Sequence, residues 1–155
     1  MPHIHEKIDF CADVFVVYKD KVLIRKHDKY NIWLAVGGHI ELDEDLNEAA
    51  VREVKEEVGL DIKLLDTRNK VAPEDRGKEL IPPIGVNRHK ISDTHEHISF
   101  FFVGIASTDK VTPENPEDIW RWCGADEIEK LDGITSNIIF YAKLALKLAE
   151  SSFGS

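Results

Sequence analysis

GHIELDEDLNEAAVREVKEEVGL, residues 38–60, is the stretch from which the fold can be read. Successive residues of a helix turn by about 100°, so Glu53, Glu56 and Glu57, spaced i, i+3 and i+4, fall within one wedge of a helix surface. Ala50, Val51, Val54 and Val58 fall on a stripe roughly 120° from them, as a half-buried helix requires. One face docks on a core and the next faces water. Three carboxylates this close repel one another unless a cation sits among them. Oxygen donors suit hard ions such as Mg²⁺ or Mn²⁺, and Mg²⁺ takes few protein ligands, leaving the rest to water and substrate phosphates. On spacing alone an ordinary solvated acidic face explains E-x-x-E-E equally well.

The flanking residues separate the two readings. Gly38, Glu44, Arg52, Glu53, Val54, Glu56, Glu57, Gly59 and Leu60 stand in order and at the spacing of G-x5-E-x7-R-E-U-x-E-E-x-G-U, with U aliphatic. The stretch therefore resembles the Nudix box. That resemblance implies an α/β fold, an α/β/α sandwich with a central mixed β-sheet flanked by helices, formed by one domain over residues 1–155 with its core at about 9–150. It also implies an enzyme that hydrolyses a nucleoside diphosphate linked to another group, with Glu53, Glu56, Glu57 and the Gly37 carbonyl as metal ligands and Mg²⁺, or Mn²⁺, as cofactor. Gly38, Glu44, Arg52 and Gly59 become scaffold. Glu44 pairs with Arg52, the glycine pair makes a tight loop that lets backbone approach a metal or phosphate, and Gly59 ends the helix in a left-handed cap. Many relatives have a proline before the two glycines, where this chain has Val36.

Composition narrows the partners. A formal charge of −9 argues against nonspecific grip on nucleic acid or an anionic membrane, both of which need a basic surface. It still admits a small phosphorylated substrate, because bound metal supplies local positive charge. Cys11 and Cys123 are far apart and in no zinc or C-x-x-C spacing, which predicts two buried thiols and no disulfide framework. No run approaches 18 apolar residues, and MPHIHEKIDF lacks the basic start and hydrophobic core of a signal peptide, so a cytoplasmic monomer or homodimer is expected.

Along the chain, FCADVFVVY (10–18) reads as a strand apolar on both sides, suited to a sheet covered on both faces. KVLIRK follows as a second strand, HDKYN as a loop, and Ile32–Val36 as a short strand leading to the glycines. After the box, DIKLLDT is a strand, 68–79 a polar loop, IGVNRHKI and ISFFFVGIA two strands joined by the turn SDTHEH, and IWRWC a strand before a short acidic helix. Trp122 matches the tryptophan found late in Nudix domains. Ser136 can cap a last helix with Ile138, Tyr141, Ala142, Ala145 and Leu148 at helical spacing, and SSFGS reads as a frayed tail.

The reaction needs a base, which in relatives is a box glutamate matching Glu53 or an acid or histidine from elsewhere. Glu53, Glu56 and, from the turn before the long strand, Glu96 are therefore the catalytic candidates, with His95 and His97 behind them; a solvated polar turn is the plainer reading of those three. Arg25, Trp33 and His39 are candidates to bind substrate, against a core place for Trp33 and a solvated one for Arg25. No coenzyme A motif precedes the box, the proline placement of ADP-ribose hydrolases is not met by Pro73, Pro82 or Pro83, and the tyrosine of dinucleoside polyphosphate hydrolases is missing. A nucleoside triphosphate pyrophosphohydrolase releasing monophosphate and pyrophosphate is the expected activity. Hydrolysis of ADP-ribose or a nucleotide sugar is the alternative, and a non-catalytic nucleotide-sensing module the alternative of another class.

Overall fold

A computed structural model describes residues 6–27 and 31–153; residues 28–30 of the expected HDKYN loop, the start of the MPHIHEKIDF segment and the last two residues of the tail lie outside the described residues. The chain runs β1 (Ile8–Tyr18), β2 (Lys21–Lys26), β3 (Trp33–Leu34), β4 (Val36–His39), α1 (Leu46–Val58), β5 (Ile62–Leu64), β6 (Gly85–Lys90), β7 (Glu96–Ala106), β8 (Ile119–Cys123), α2 (Ala125–Ile128) and α3 (Ser136–Phe153). The eight strands form one mixed sheet. β1 is parallel to β7, from Ile8↔Glu96 to Val17↔Ile105, and every other pairing is antiparallel.

The expectation of a sheet covered on both faces holds, and side-chain alternation explains it. Phe15 and Val17 of β1 pack with Ile138, Ala142, Ala145 and Ala149 of α3. Ala12, Val14 and Val16 pack with Ala49, Ala50, Val54 and Val58 of α1. The docking stripe of α1 is thus shifted slightly from the wheel: Ala49 is buried, while Val51 is 40% exposed.

The other edge of β1 is divided. Residues 11–14 pair with β4 and residues 17–18 with β2, so the two partners diverge along one strand. Ile32–Val36 is therefore not one strand. Trp33 and Leu34 pair with β2, and Val36 begins a separate strand on β1. Gly37 and Gly38, expected in a tight loop, lie inside β4, and neither has a positive φ. Their lack of a side chain serves close approach, not turning.

Both ends of α1 are closed. Asp45 accepts from the Glu48 N–H at 2.8 Å and Glu48 accepts from the Asp45 N–H at 3.1 Å, a reciprocal cap. At the other end Gly59 has φ 71°, as the sequence suggests, and the N–H groups of Thr112 and Glu114 donate to the carbonyls of Val58 and Glu57. Gly59→Ala should cost about 1–3 kcal/mol, the range for a non-glycine held in the left-handed region. The Thr112 Cβ, 3.1 Å from where the new methyl would sit, adds to that strain. Urea denaturation checks it, and an unchanged midpoint would remove Gly59 from the scaffold. Finally, α3 continues through Phe153, so Ser151–Phe153 are helical and not frayed.

Candidate active site

Arg52 organises the carboxylates of α1. Its Nε and Nη2 donate to the two oxygens of Glu44 at 2.9 and 2.7 Å, a bidentate pair that holds the Glu44 carboxyl below its usual range. Nη2 also donates to the His39 carbonyl at 2.9 Å, which fastens the end of β4 to the helix. Nη1 donates to Glu53 at 2.9 Å and to Glu56 at 3.0 Å. One guanidinium thus spans the loop, the strand and two of the three helix glutamates.

The three glutamates share a region but not an environment. Glu56 has a side chain 51% exposed, whereas Glu53, expected to be exposed, is only 3% exposed. The cause is Gly38: a Cβ there would lie 2.5 Å from the Glu53 carboxylate, so the carboxylate occupies the space the glycine leaves empty. Burial raises the Glu53 pKa, with Arg52 opposing. Glu57 is raised to about 8, first by burial and then by the charges of Glu53 and Asp13, against the pull of Arg25 and the Gly37 backbone. Among the described residues its Oε2 makes no hydrogen bond, and Arg25 Nη1 lies 3.6 Å from it.

Sequence reasoning missed Asp13. It pairs with Gly37 across β1 and β4, and a Cβ on Gly37 would fall 2.0 Å from its Oδ1. Burial raises Asp13 to about 6, opposed by a hydrogen bond with Ser99 and the charge of Arg25. The two adjacent glycines therefore admit one carboxylate from each face of the sheet. Only the apolar alternation of β1, broken by an aspartate, hinted at this.

Arg25 stands beside the α1 glutamates, its Nη1 3.6 Å from Glu57 Oε2. Its guanidinium lies 3.3 Å from Asp118 and 5.5 Å from the centre of the Trp120 ring, which faces it in the β2·β8 register. Among the described residues, Arg25 Nε and Trp120 Nε1 are buried donors without a hydrogen-bond acceptor. Trp122 instead donates to the Asp109 carbonyl at 3.0 Å.

Three other candidates are placed elsewhere. Trp33 is 6% exposed within the α3-side core, and its Nε1 donates to the Asp132 carbonyl at 2.9 Å; being in β3, it turns away from the cleft. Trp33→Phe should cost about 1–3 kcal/mol by leaving that carbonyl without its donor, with KM unchanged. A raised KM in a folded variant would return Trp33 to the substrate. His39 is buried and directs its Nε2 to His97 Nε2 at 3.3 Å, because strand alternation sets it on the face opposite Gly38 and Glu53. Glu96 is held by Arg88 at 2.6 and 3.1 Å across β6 and β7, which lowers its pKa, and it pairs with Ile8, five residues along β1 from Asp13. The structure does not bring it to the glutamates of α1. His95 and His97 are not a solvated turn either: His95 is 6% exposed, and burial followed by the neighbouring imidazoles lowers His97 to about 4. Both cysteines are buried free thiols, as expected.

The residues present suit a divalent cation. Glu53, Glu56 and Glu57 offer hard oxygens, two of them with pKa values raised by burial, and among the described residues Glu57 Oε2 is buried without a hydrogen bond.

The family model for the NUDIX domain matches residues 10–144. No curated protein matches the sequence. Among solved structures, a hydrolase of the NUDIX family from Clostridium perfringens is 34% identical with a TM-score of 0.80, over 91% of this chain and 97% of that one. A MutT NUDIX hydrolase from Burkholderia pseudomallei is 15% identical with a TM-score of 0.65, over 92% and 98%. The MutT protein from Methanosarcina mazei Go1 is 16% identical with a TM-score of 0.64, over 96% and 98%. The last two are likenesses of fold.

Proposed function

The chain belongs to the Nudix hydrolase family, whose members act on phosphoanhydride bonds of small nucleotide derivatives, and from that premise we propose that it is a nucleoside triphosphate pyrophosphohydrolase. The observation that carries the reading is the meeting of two kinds of group. Glu57 of α1 stands beside Arg25, which lies over the Trp120 ring, and among the described residues Arg25 Nε and Trp120 Nε1 are buried donors with no hydrogen-bond acceptor. A polyphosphate accompanied by cations satisfies both, since its oxygens accept from the donors and its cations neutralise the carboxylates.

Glu53, Glu56, Glu57 and the Gly37 carbonyl would hold Mg²⁺ or Mn²⁺. When bound, such an ion polarises phosphoryl oxygens and acidifies water. Arg25 orients the phosphate chain and offsets its charge, and Asp118 holds Arg25 in place. Arg52 keeps Glu53 and Glu56 aligned. Glu96 is engaged by Arg88, so the proton of the attacking water is assigned to Glu53, whose raised pKa makes it a better acceptor than a solvated glutamate. Pro73, Pro82 and Pro83 stand off the ADP-ribose pattern and favour triphosphates over ADP-ribose. A cytoplasmic monomer or homodimer completes the reading; among the described residues no helix is long and apolar enough to cross a membrane.

The test is product release from nucleoside triphosphates, dinucleotides, ADP-ribose and nucleotide sugars with Mg²⁺, with Mn²⁺ and with chelator. Metal-dependent pyrophosphate release from triphosphates is expected. Turnover confined to ADP-ribose or nucleotide sugars would replace the substrate class. Binding of metal and nucleotide without turnover would make the protein a sensing module.

A further inference from the structure

The sheet face opposite Glu53 carries a second set of metal-ligating side chains that the proposed reaction does not use. Cys11 faces His39 in the β1·β4 register, and Asp9 faces His97 in the β1·β7 register. Alternation puts all four on one face, and His95 joins them from the residue before β7. Asp9 is 1% exposed, His95 6% and His39 8%. The His97 ring lies 5.0 Å from that of His39 and 5.2 Å from that of His95.

Hydrogen-bond polarity makes the group informative. His95 Nδ1 lies 3.0 Å from the Glu6 carbonyl oxygen. A carbonyl only accepts, so Nδ1 carries a proton, and a neutral His95 turns the lone pair of Nε2 toward Asp9 Oδ2, 3.2 Å away. Two lone pairs facing each other across that distance form a pair of donors between which a metal ion can sit. His39 Nε2 adds another donor, 3.8 Å from Asp9 Oδ2 and 3.3 Å from His97 Nε2.

The spacing favours the metal. Bonds of about 2.0–2.1 Å in a tetrahedral site set neighbouring ligand atoms about 3.3–3.4 Å apart. The 3.2 Å between Asp9 Oδ2 and His95 Nε2 approximates an edge of such a tetrahedron. The donor atoms of Asp9, His95 and His97 all lie within 4.8 Å of one another. Metal-binding histidines also tend to anchor their second nitrogen on a carbonyl or similar group, as His95 does on Glu6, while His97 Nδ1 lies 3.5 Å from Cys11 Sγ.

We propose that Asp9, His95 and His97 bind one transition-metal ion of the Zn²⁺ class, at a site separate from the carboxylates of α1, with His39 beside it. Two imidazoles and one carboxylate suit Zn²⁺, whereas Mg²⁺ takes an all-oxygen set. Three protein donors leave the fourth position of a tetrahedron to water. The ion ties the start of β1 to the start of β7.

The test uses the full chain without a histidine tag, stripped with chelator and titrated with Zn²⁺, and with Co²⁺, whose visible absorption reports tetrahedral coordination. One Zn²⁺ per chain is expected, with a raised Tm, and it should persist in the Glu56→Gln/Glu57→Gln double variant. His95→Gln and His97→Gln should each weaken Zn²⁺ by at least about 100-fold, no less than loss of a supporting partner around a metal costs. Equal Zn²⁺ affinity in both histidine variants, or no Zn²⁺ bound by the wild type, would overturn the proposal. Should a variant fail to fold, nitrogen-15 spectra of the wild-type imidazoles decide. Zn²⁺ must shift Nε2 of His95 and a ring nitrogen of His97; a His95 unmoved by Zn²⁺ refutes the site.

Discussion

Glu57→Gln is expected to lower kcat by more than about 100-fold without lowering Tm. The loss follows from its proposed place as a metal ligand, since even supporting partners around a metal are worth about 10–100-fold. The stability half rests on the cost of its charge. Burial raises Glu57 from 4.5 to about 8 in the folded chain, so ionising it is harder in the fold than in the unfolded state. For an acid whose folded pKa is raised, the sign is destabilising: metal-free protein loses stability as pH climbs from about 4.5 toward 8, where the unfolded chain ionises first. Gln removes that part of the slope. Arg25 keeps Asp118 at 3.3 Å and is not stranded. Denaturation with chelator at pH 5 and pH 8, beside steady-state kinetics, separates the two effects. Wild-type turnover in the variant would remove Glu57 from the metal site, and an unchanged pH slope would remove the charge argument.

Gly37→Ala and Gly38→Ala should fail in different ways although they are neighbours. At Gly37 a new Cβ would lie 2.5 Å from the Ala12 carbonyl oxygen and 2.8 Å from the Asp13 Cα, both backbone atoms of the adjoining strand. β1 and β4 would have to part, so a loss at or beyond the upper end of the about 1–3 kcal/mol usual for overpacking is expected, with little folded protein at 37 °C. At Gly38 the obstacle is the end of the Glu53 side chain, which can swing aside. That variant should keep most of its stability and lose activity, because the displaced carboxylate leaves Arg52 Nη1. Thermal melts and kcat on both proteins give the comparison, and equal loss of Tm in the two would contradict it.

The box was legible because its meaning lies in local spacing: a helix fixes where residues three and four apart point, and Gly59 and Arg52 take the places the pattern assigns. Strands were legible where apolar runs are long, as in β1, β2 and β7. What could not be read depends on which strand lies beside which. Asp13 enters the site only because β4 pairs with β1 at Gly37, and Trp120 meets Arg25 only through the β2·β8 register. His39 and Trp33 flank the glycine pair in sequence. A strand sends successive side chains to opposite faces, so nearness of that kind carries no information about direction. In sequence SDTHEH is a polar turn; its histidines gain meaning from Asp9 and His39, which other strands bring beside them.

The parallel pairing of β1 with β7 has a consequence for how the chain is made. Ile8 must find Glu96, so the middle of the sheet closes a loop of 88 residues before its contacts can reward the ordering. A ribosome delivers β1 long before its partner, and β1 is mostly apolar on both faces with one edge waiting. Early pairing with β2 and β4, and the cover of α1, shield it during that interval. β7, arriving late, is the step at which a crowded or heated cell would see this protein aggregate instead of fold.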